Sequence, residues 1–384
     1  MWNRANGLEA VSEIAMGAAP DGTIWMTWSE GIDGSVDADV IWSAQWLGDN
    51  GVGGTCASYG GSTEWNCYQV DTTGHEYAFQ DLAVSPEGIP RIAYRDTTRD
   101  VWLAEYVGSG GSCSDSAWNC YQIDAIGGSA VDVQVGIAID ENDKTFVSYE
   151  DDNNARIMVA EYVGSGGTGC DLPSWSCTVV DTHSSSDYSD IALDSTGNPQ
   201  IVSKVDAKVT HFEYVGSGGS CSNVAWECTT VHDSINGLFP KIAIDADDRA
   251  WVVFYEYDGG GCGSIYCDIW VAYQDDVSAD CDITNGWVCT EVVNGSGQQG
   301  NAQAIAIDPT GSPWITARDY ADNSLIIIRP HSTRNAPDLD QHSGNNGGGA
   351  ATRSTGQYLF DDGRFPRADE EGVCSHSIDG DNEG

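Results

Sequence analysis

The sequence predicts an all-β fold, a six-bladed β-propeller of four-stranded blades. Three observations carry this. A strand–turn–strand phrase occurs six times: MGAAPDGTIWMTW (16–28), LAVSPEGIPRIAY (82–94), IAIDENDKTFVSY (137–149), IALDSTGNPQIVS (191–203), IAIDADDRAWVVF (242–254) and IAIDPTGSPWITA (305–317). A third apolar run follows every copy, and a W-x-C element then opens a fourth strand in five of the six units. Four strands in each repeat of this size mark a propeller blade.

Gly17, Ala83, Ala138, Ala192, Ala243 and Ala306 set the register, at steps of 51 to 66 residues. The first strand of each copy is short and apolar, as for a strand buried on both faces. Its turn, D-x-x-G-x-P or a relative, places Gly or Asp where positive φ is needed. The second strand carries aromatics at one position, Trp25, Phe146, Trp251 and Trp314, with Arg91 and Gln200 in the other two blades. Three residues on stand Trp28, Tyr94, Tyr149 and Phe254, on the opposite face by the two-residue period. Both faces are thus expected to pack, each sheet lying between two others.

The third strands are VIWSAQWLG (40–48), VWLAEYVG (101–108), RIMVAEYVG (156–164), VTHFEYVG (209–216), IWVAYQD (269–275) and SLIIIRP (324–330). Glycine-rich connections follow, as in EYVGSGGSCSDSAWNC from Glu105. With no helix after them and no Lys-Ser/Thr pair, they are turns and not phosphate cradles. Fourth strands open at Trp65, Trp118, Trp175, Trp226 and Trp287. The sixth unit lacks this element, and Trp2-Asn3-Arg4 matches it at the other end of the chain. The N-terminal strand is therefore expected to close the last blade and remove an exposed edge. The propeller is assigned residues 1–332; residues 333–384, rich in Gly, Asp and Asn, read as a flexible tail or linker.

Twelve of the 13 cysteines form close pairs: Cys56/Cys67, Cys113/Cys120, Cys170/Cys177, Cys221/Cys228, Cys262/Cys267 and Cys281/Cys289. Zinc sites draw two closely spaced pairs onto one ion, whereas these pairs sit in separate repeats. Disulfides between strands three and four are expected, and with them an extracellular or cell-surface setting. MWNRANGLEA has neither the basic start nor the apolar run of a secretory leader, so a secreted chain given without its leader is expected. Cys374 is left over.

Acidic residues number 59 and basic residues 16, a net charge of −43. Such a surface excludes nucleic acid, which is bound through Lys and Arg, and is repelled by anionic membranes. No apolar run is long enough for a membrane-spanning helix. The surface suits a salty medium or the collection of divalent cations.

The phrase LDSTGNPQIVS resembles repeats of secreted bacterial and archaeal propellers, broadly the sialidase-like and lectin-like group. The resemblance covers about 320 residues and bears on fold. The S-x-D-x-G-x-T-W turns and arginine triad of sialidases are missing; DGTIW at 21–25 comes nearest. What the resemblance implies is a glycan binder that holds sugars between blades with aromatic and polar side chains.

Loops after the second and fourth strands share one face, the usual ligand face of this fold. Its candidate ligand-binding residues are Arg95, Asp96, Glu150, Asp151, Glu256, Asp258, Arg318 and Asp319. Asp96, Asp151 and Asp319 are the candidate ligands of a hard cation, Ca2+. His75, His183 and His232 lie in fourth-to-first loops, too dispersed for a zinc triad. Solvated turns and a carboxyl pair acting on a glycosidic bond compete with the cation reading. No catalytic residue is assigned, since no nucleophile elbow or H-E-x-x-H occurs. DGGGCGSIYCD (258–268) lengthens a loop on this face and bears Cys262 and Cys267; Asn294 begins a glycosylation sequon. The expected function is an extracellular binding or adhesion propeller, with a glycan or a surface protein as partner. A secreted carbohydrate-active enzyme and a structural subunit of a surface assembly are the alternatives. Oligomeric state stays open.

Overall fold

The computed structural model describes residues 11–31, 39–48, 51–59, 63–75, 80–127, 134–233, 237–256, 268–275, 281, 286–293, 304–319, 324–330 and 339–341. Six four-stranded antiparallel sheets form the blades of an all-β propeller. The first blade is β1 (Val11–Ala18), β2 (Ile24–Gly31), β3 (Asp39–Trp46) and β4 (Trp65–His75). The second is β5 (Asp81–Val84), β6 (Pro90–Arg95), β7 (Val101–Tyr106) and β8 (Trp118–Asp124). The third is β9 (Val135–Ile139), β10 (Thr145–Asp151), β11 (Arg156–Tyr162) and β12 (Trp175–Thr182). The fourth is β13 (Ser186–Leu193), β14 (Pro199–Val205), β15 (Lys208–Tyr214) and β16 (Trp226–His232). The fifth is β17 (Gly237–Ile244), β18 (Ala250–Glu256), β19 (Ile269–Gln274) and β20 (Trp287–Val293). The sixth is β21 (Ala304–Ile307), β22 (Pro313–Asp319), β23 (Ser324–Pro330) and β24 (Leu339–Gln341). The chain divides into two compact units, residues 1–229 and 230–384. Blades one to three and most of blade four belong to the first unit, blades five and six to the second.

Every W-x-C tryptophan opens a fourth strand, as expected. The sixth blade differs. Its described fourth strand is β24, paired with β23 through Ile328↔Gln341 and Pro330↔Leu339; the segment around Trp2, expected to close this blade, lies outside the described residues. The sixth sheet thus takes in residues beyond 332 that read as tail.

The repeated turn has a local cause. Asp140 Oδ1 accepts from the main-chain N–H of Asn142 and of Lys144, both at 2.8 Å. Asp194 does the same with Thr196 and Asn198 at 2.8 Å, and Asp308 with Thr310 and Ser312 at 2.8 and 3.0 Å. A short side-chain acceptor that bonds its own downstream backbone favours a tight turn over a longer strand.

Between blades, both faces of the second strands are buried. Trp25, Phe146 and Trp251 are 2–4% exposed, and Tyr94, Tyr149 and Phe254 are fully buried. Val147, Tyr149 and Val135 pack with Ala93, Val101 and Leu103 of the second blade. Phe146, Ile157 and Val159 pack with Ile191, Ile201 and Phe212 of the fourth.

Five disulfides lie in the third-to-fourth connections: Cys56–Cys67, Cys113–Cys120, Cys170–Cys177, Cys221–Cys228 and Cys281–Cys289, with Cα atoms 4.8–5.0 Å apart. Each ties the loop to its fourth strand. The strand-three residue opposite the second cysteine is alanine in four blades: Ala44, Ala104, Ala160 and Ala272. Cys262, Cys267 and Cys374 lie outside the described residues. In the GSGG loops, Gly108 and Gly110 both hold φ 77°. A Cβ on Gly111, Gly167 or Gly219 would collide with the carbonyl oxygen of Trp118, Trp175 or Trp226. The glycines let the loop lie flat on the strand that the disulfide joins it to.

Candidate functional site

One second-strand position decides what fills the space between neighbouring blades beside the first-to-second turns. In the second blade it is Arg91. Its Nε donates to Glu105 Oε2 at 2.7 Å, and its Nη1 and Nη2 donate to Asp143 on the turn of the third blade at 2.7 and 2.9 Å. Nη1 also reaches Thr145 Oγ1 at 2.8 Å. Burial works against this guanidinium, but bonds to Asp143 and Glu105 hold its pKa above the ordinary value. In the third blade the position is Phe146, with Lys144 Nζ 5.1 Å from its ring centroid and paired to Glu161.

In the first blade the position is Trp25, and the partners change with it. Its cross-strand neighbour is Gln45, where Arg91 has Glu105. The facing turn carries Gly88 where the next turn carries Asp143. The space remains a cleft of about 230 Å³, lined by Asp21, Trp25 and Gln45 of the first blade and Glu87, Gly88 and Tyr106 of the second.

Its walls are aromatic and held in place. Trp25 packs on Tyr106 with centroids 4.8 Å apart at 56°, and Tyr106 on Trp118 at 5.4 Å and 70°. Tyr68 donates to Gln45 Oε1 at 3.3 Å and lies 3.4 Å from the Tyr106 hydroxyl. Burial raises the Tyr68 pKa, so the phenol keeps its proton and serves as a donor. Asp21 accepts from Thr23 N at 2.9 Å, and this bond holds its exposed carboxyl below the usual range. Pro20 and Pro86 stiffen the two rims. The cleft presents an apolar ring surface beside charged and amide acceptors.

The residues singled out in the sequence lie at the other ends of the strands. Arg95 and Glu150 come together: Arg95 Nη2 donates to the main-chain oxygen of Glu150, and the two residues are 4% and 0% exposed. Burial pushes the Glu150 carboxyl well up, with Arg95 opposing. Asp96 is engaged in its own turn, accepting from Thr98 N at 2.9 Å, Asp100 N at 3.0 Å and Trp102 Nε1 at 2.9 Å. Asp151 accepts from Asn154 N at 3.2 Å and Nδ2 at 2.8 Å. Glu256 accepts from Trp270 Nε1 at 3.2 Å. The backbones of Arg318 and Asp319 pair with Leu325 and Ser324; Asp258 lies outside the described residues. Among the described residues no three His, Cys, Asp or Glu side chains gather as a metal site. His183 is kept neutral by burial, and His232 is 2% exposed, packed on Phe254 and Trp270.

Sequence reasoning did not find the cleft. The signal was present in the exchange of Trp25 for Arg91 within the repeat. Its meaning depends on Gln45 and Gly88, residues distant in sequence.

With this geometry in place, the class of protein is a six-bladed propeller. No family profile and no curated protein matches the sequence. Among solved structures, it is similar to an ulvan lyase, a polysaccharide lyase bound to a GlcA–Rha3S saccharide, at 9% identity over 85% of this chain and 82% of that one, with a TM-score of 0.53. It is similar to a protein of unknown function from Dyadobacter fermentans at 9% identity over 82% and 92%, TM-score 0.50. It is also similar to the Aleuria aurantia lectin in complex with Fucα1-6GlcNAc at 13% identity over 90% and 97%, TM-score 0.48. At such identities the likeness bears on fold alone.

Proposed function

We propose that the protein binds carbohydrate, and that the cleft between its first and second blades takes a neutral sugar residue. The observation that carries this reading is the Trp25–Tyr106 wall facing Gln45, Asp21 and Glu87 across about 230 Å³. That volume is below the roughly 300–1,000 Å³ of drug-sized pockets and suits one small polar ring. Tyrosine offers an apolar face and a polar edge to such a ring. Carboxylates take charge-assisted hydrogen bonds from sugar hydroxyls. The cleft's lining has no Lys, Arg or His among the described residues, and the chain carries −43. Both weigh against sulfated or uronic sugars, whose charge is of the same sign. Five disulfides support an extracellular setting. Adhesion to a glycosylated surface fits this reading.

The test is a glycan array followed by calorimetry with the full chain. Neutral oligosaccharides are expected to bind, and Tyr106→Ala to weaken them by at least about tenfold, about 1.4 kcal/mol. Equal binding by Tyr106→Ala, or a preference for sulfated glycans, overturns the reading.

A further inference from the structure

The geometry points to a hard-cation site between the third and fourth blades, with Glu150, Gln134 and Ser186 as its oxygen donors. These residues lie at the opposite ends of the strands from the sugar cleft, and the inference does not depend on it.

The facing sides of the two blades are identified by a buried hydrogen bond, Ser189 Oγ to Ser148 Oγ at 3.0 Å. Glu150 stands two residues beyond Ser148 on β10 and so faces the fourth blade as well. Gln134 is the next cross-strand neighbour, continuing Gly136↔Ser148 and Val135↔Tyr149. On β13 the pairing is Ser189↔Ser203, then a bulge, then Asp187↔Lys204 and Ser186↔Val205. Ser186 therefore shares the side of Ser189 and looks back at the third blade.

The bulge decides which residue arrives there. Tyr188 sits at φ 61°, a left-handed conformation rare for a bulky side chain. Were the strand regular through Tyr188, Tyr188 would pair with Lys204 and Asp187 with Val205, which would turn Asp187 to the side of Ser189 and toward Glu150. With the bulge, Asp187 turns away and accepts from Lys204 Nζ at 2.8 Å, and a hydroxyl takes its place. Bulges commonly re-aim side chains at functional positions.

The donor atoms are buried and unmatched. Glu150, Gln134 and Ser186 are 0%, 2% and 6% exposed. Glu150 Oε1 and Oε2, Gln134 Oε1 and Ser186 Oγ have no hydrogen-bond partner. A buried carboxylate requires a compensating partner. Arg95 approaches from the second-blade side, with Ala93, and donates to the main-chain oxygen of Glu150. The Arg95 charge opposes the effect of burial on the Glu150 carboxyl, and Asp152 and Asp187 act the other way, yet neither carboxylate oxygen takes a hydrogen bond. The cross-strand neighbour Gln134 and the facing Ser186 supply the neutral oxygens on this side. Oxygen donors with a single carboxylate suit a hard cation, calcium or sodium. A chain of net charge −43 enriches such ions around it.

The full chain is stripped with chelator, and its melting temperature is followed in CaCl2 or in NaCl at constant ionic strength. A ligand that binds only the folded state raises the melting temperature with concentration. One of the two ions is expected to raise it by a few degrees with one-site saturation, and Glu150→Gln to abolish that rise while still folding. Ser186→Ala, which removes one neutral donor, is expected to move the midpoint by about tenfold and keeps the test valid should Glu150→Gln not fold. An equal rise in wild type and both variants assigns the effect to surface carboxylates and overturns the site. So does no rise with either ion.

Discussion

Arg91 Nη1 lies 2.7 Å from Asp143 Oδ1, a bond from the second blade to the turn of the third. With Glu105 at 2.7 Å, it plugs the space that Trp25 leaves open one blade earlier. Arg91→Ala is expected to cost about 1–3 kcal/mol, toward the lower end because Asp143 and Glu105 keep partial contact with water. The check is a lower urea midpoint at unchanged slope. Arg91→Lys is expected to restore only part, since an ammonium lacks the planar fork that spans two carboxylates. An unchanged midpoint in Arg91→Ala would remove the network from the account of stability.

Glycines within one loop are expected to differ. At Gly110 the surroundings are open and only the φ of 77° resists a side chain, so Gly110→Ala should cost about 1 kcal/mol. At Gly111 a Cβ meets the Trp118 carbonyl, so Gly111→Ala should cost clearly more. Thermal denaturation of the two variants ranks them, and the reverse order would contradict the packing described.

The Cys113–Cys120 bridge spans a sequence separation of 7. Loop-closure reasoning gives about 2–3 kcal/mol for such a loop. The Cys113→Ser/Cys120→Ser pair should lower stability by that amount, and the same change in the third blade should add to it. Denaturant midpoints of single-blade and two-blade variants decide this; strong coupling between them would show that the loops are not independent.

His211 is fully enclosed, its Nε2 2.8 Å from Gln200 Oε1, and burial lowers its pKa from 6.5 to about 3. The native ring stays neutral while the unfolded one takes a proton below about pH 6.5. Its contribution is therefore complete above that pH and is lost as pH falls toward 3. At pH 5 the loss is about 2 kcal/mol. His211→Gln should flatten this part of the stability profile relative to wild type between pH 7 and 5. Parallel profiles would assign the acid sensitivity elsewhere.

Periodicity in the sequence made the blades legible because it is local. The six strand–turn–strand phrases, the W-x-C starts and the cysteine pairs each act within one sheet, and all described copies fall where the pattern puts them. The sixth blade departs because β24 at Leu339–Gln341 carries no such motif. Three residues pairing on an available edge leave too weak a pattern to read.

The functional features were less legible, for a physical reason. Asp96 and Asp151 read in the sequence as isolated loop carboxylates, whereas in the structure each accepts from neighbouring backbone N–H groups, Asp96 also from Trp102 and Asp151 also from the Asn154 amide. Glu150 looks like its neighbours in a charged loop, yet burial and the inter-blade face set it apart. By itself, the sequence determined the repeat, the strands, their turns and the disulfide pairs, since these follow from side-chain period and short-range bonding. The tertiary structure decided which inter-blade space is plugged by Arg91 and which is left open beside Trp25. It also decided, through the bulge at Tyr188, that Ser186 and not Asp187 shares the side of Ser189 that faces the third blade. Both outcomes depend on residues brought together from different blades, where packing and desolvation act across distances in sequence that no local pattern records.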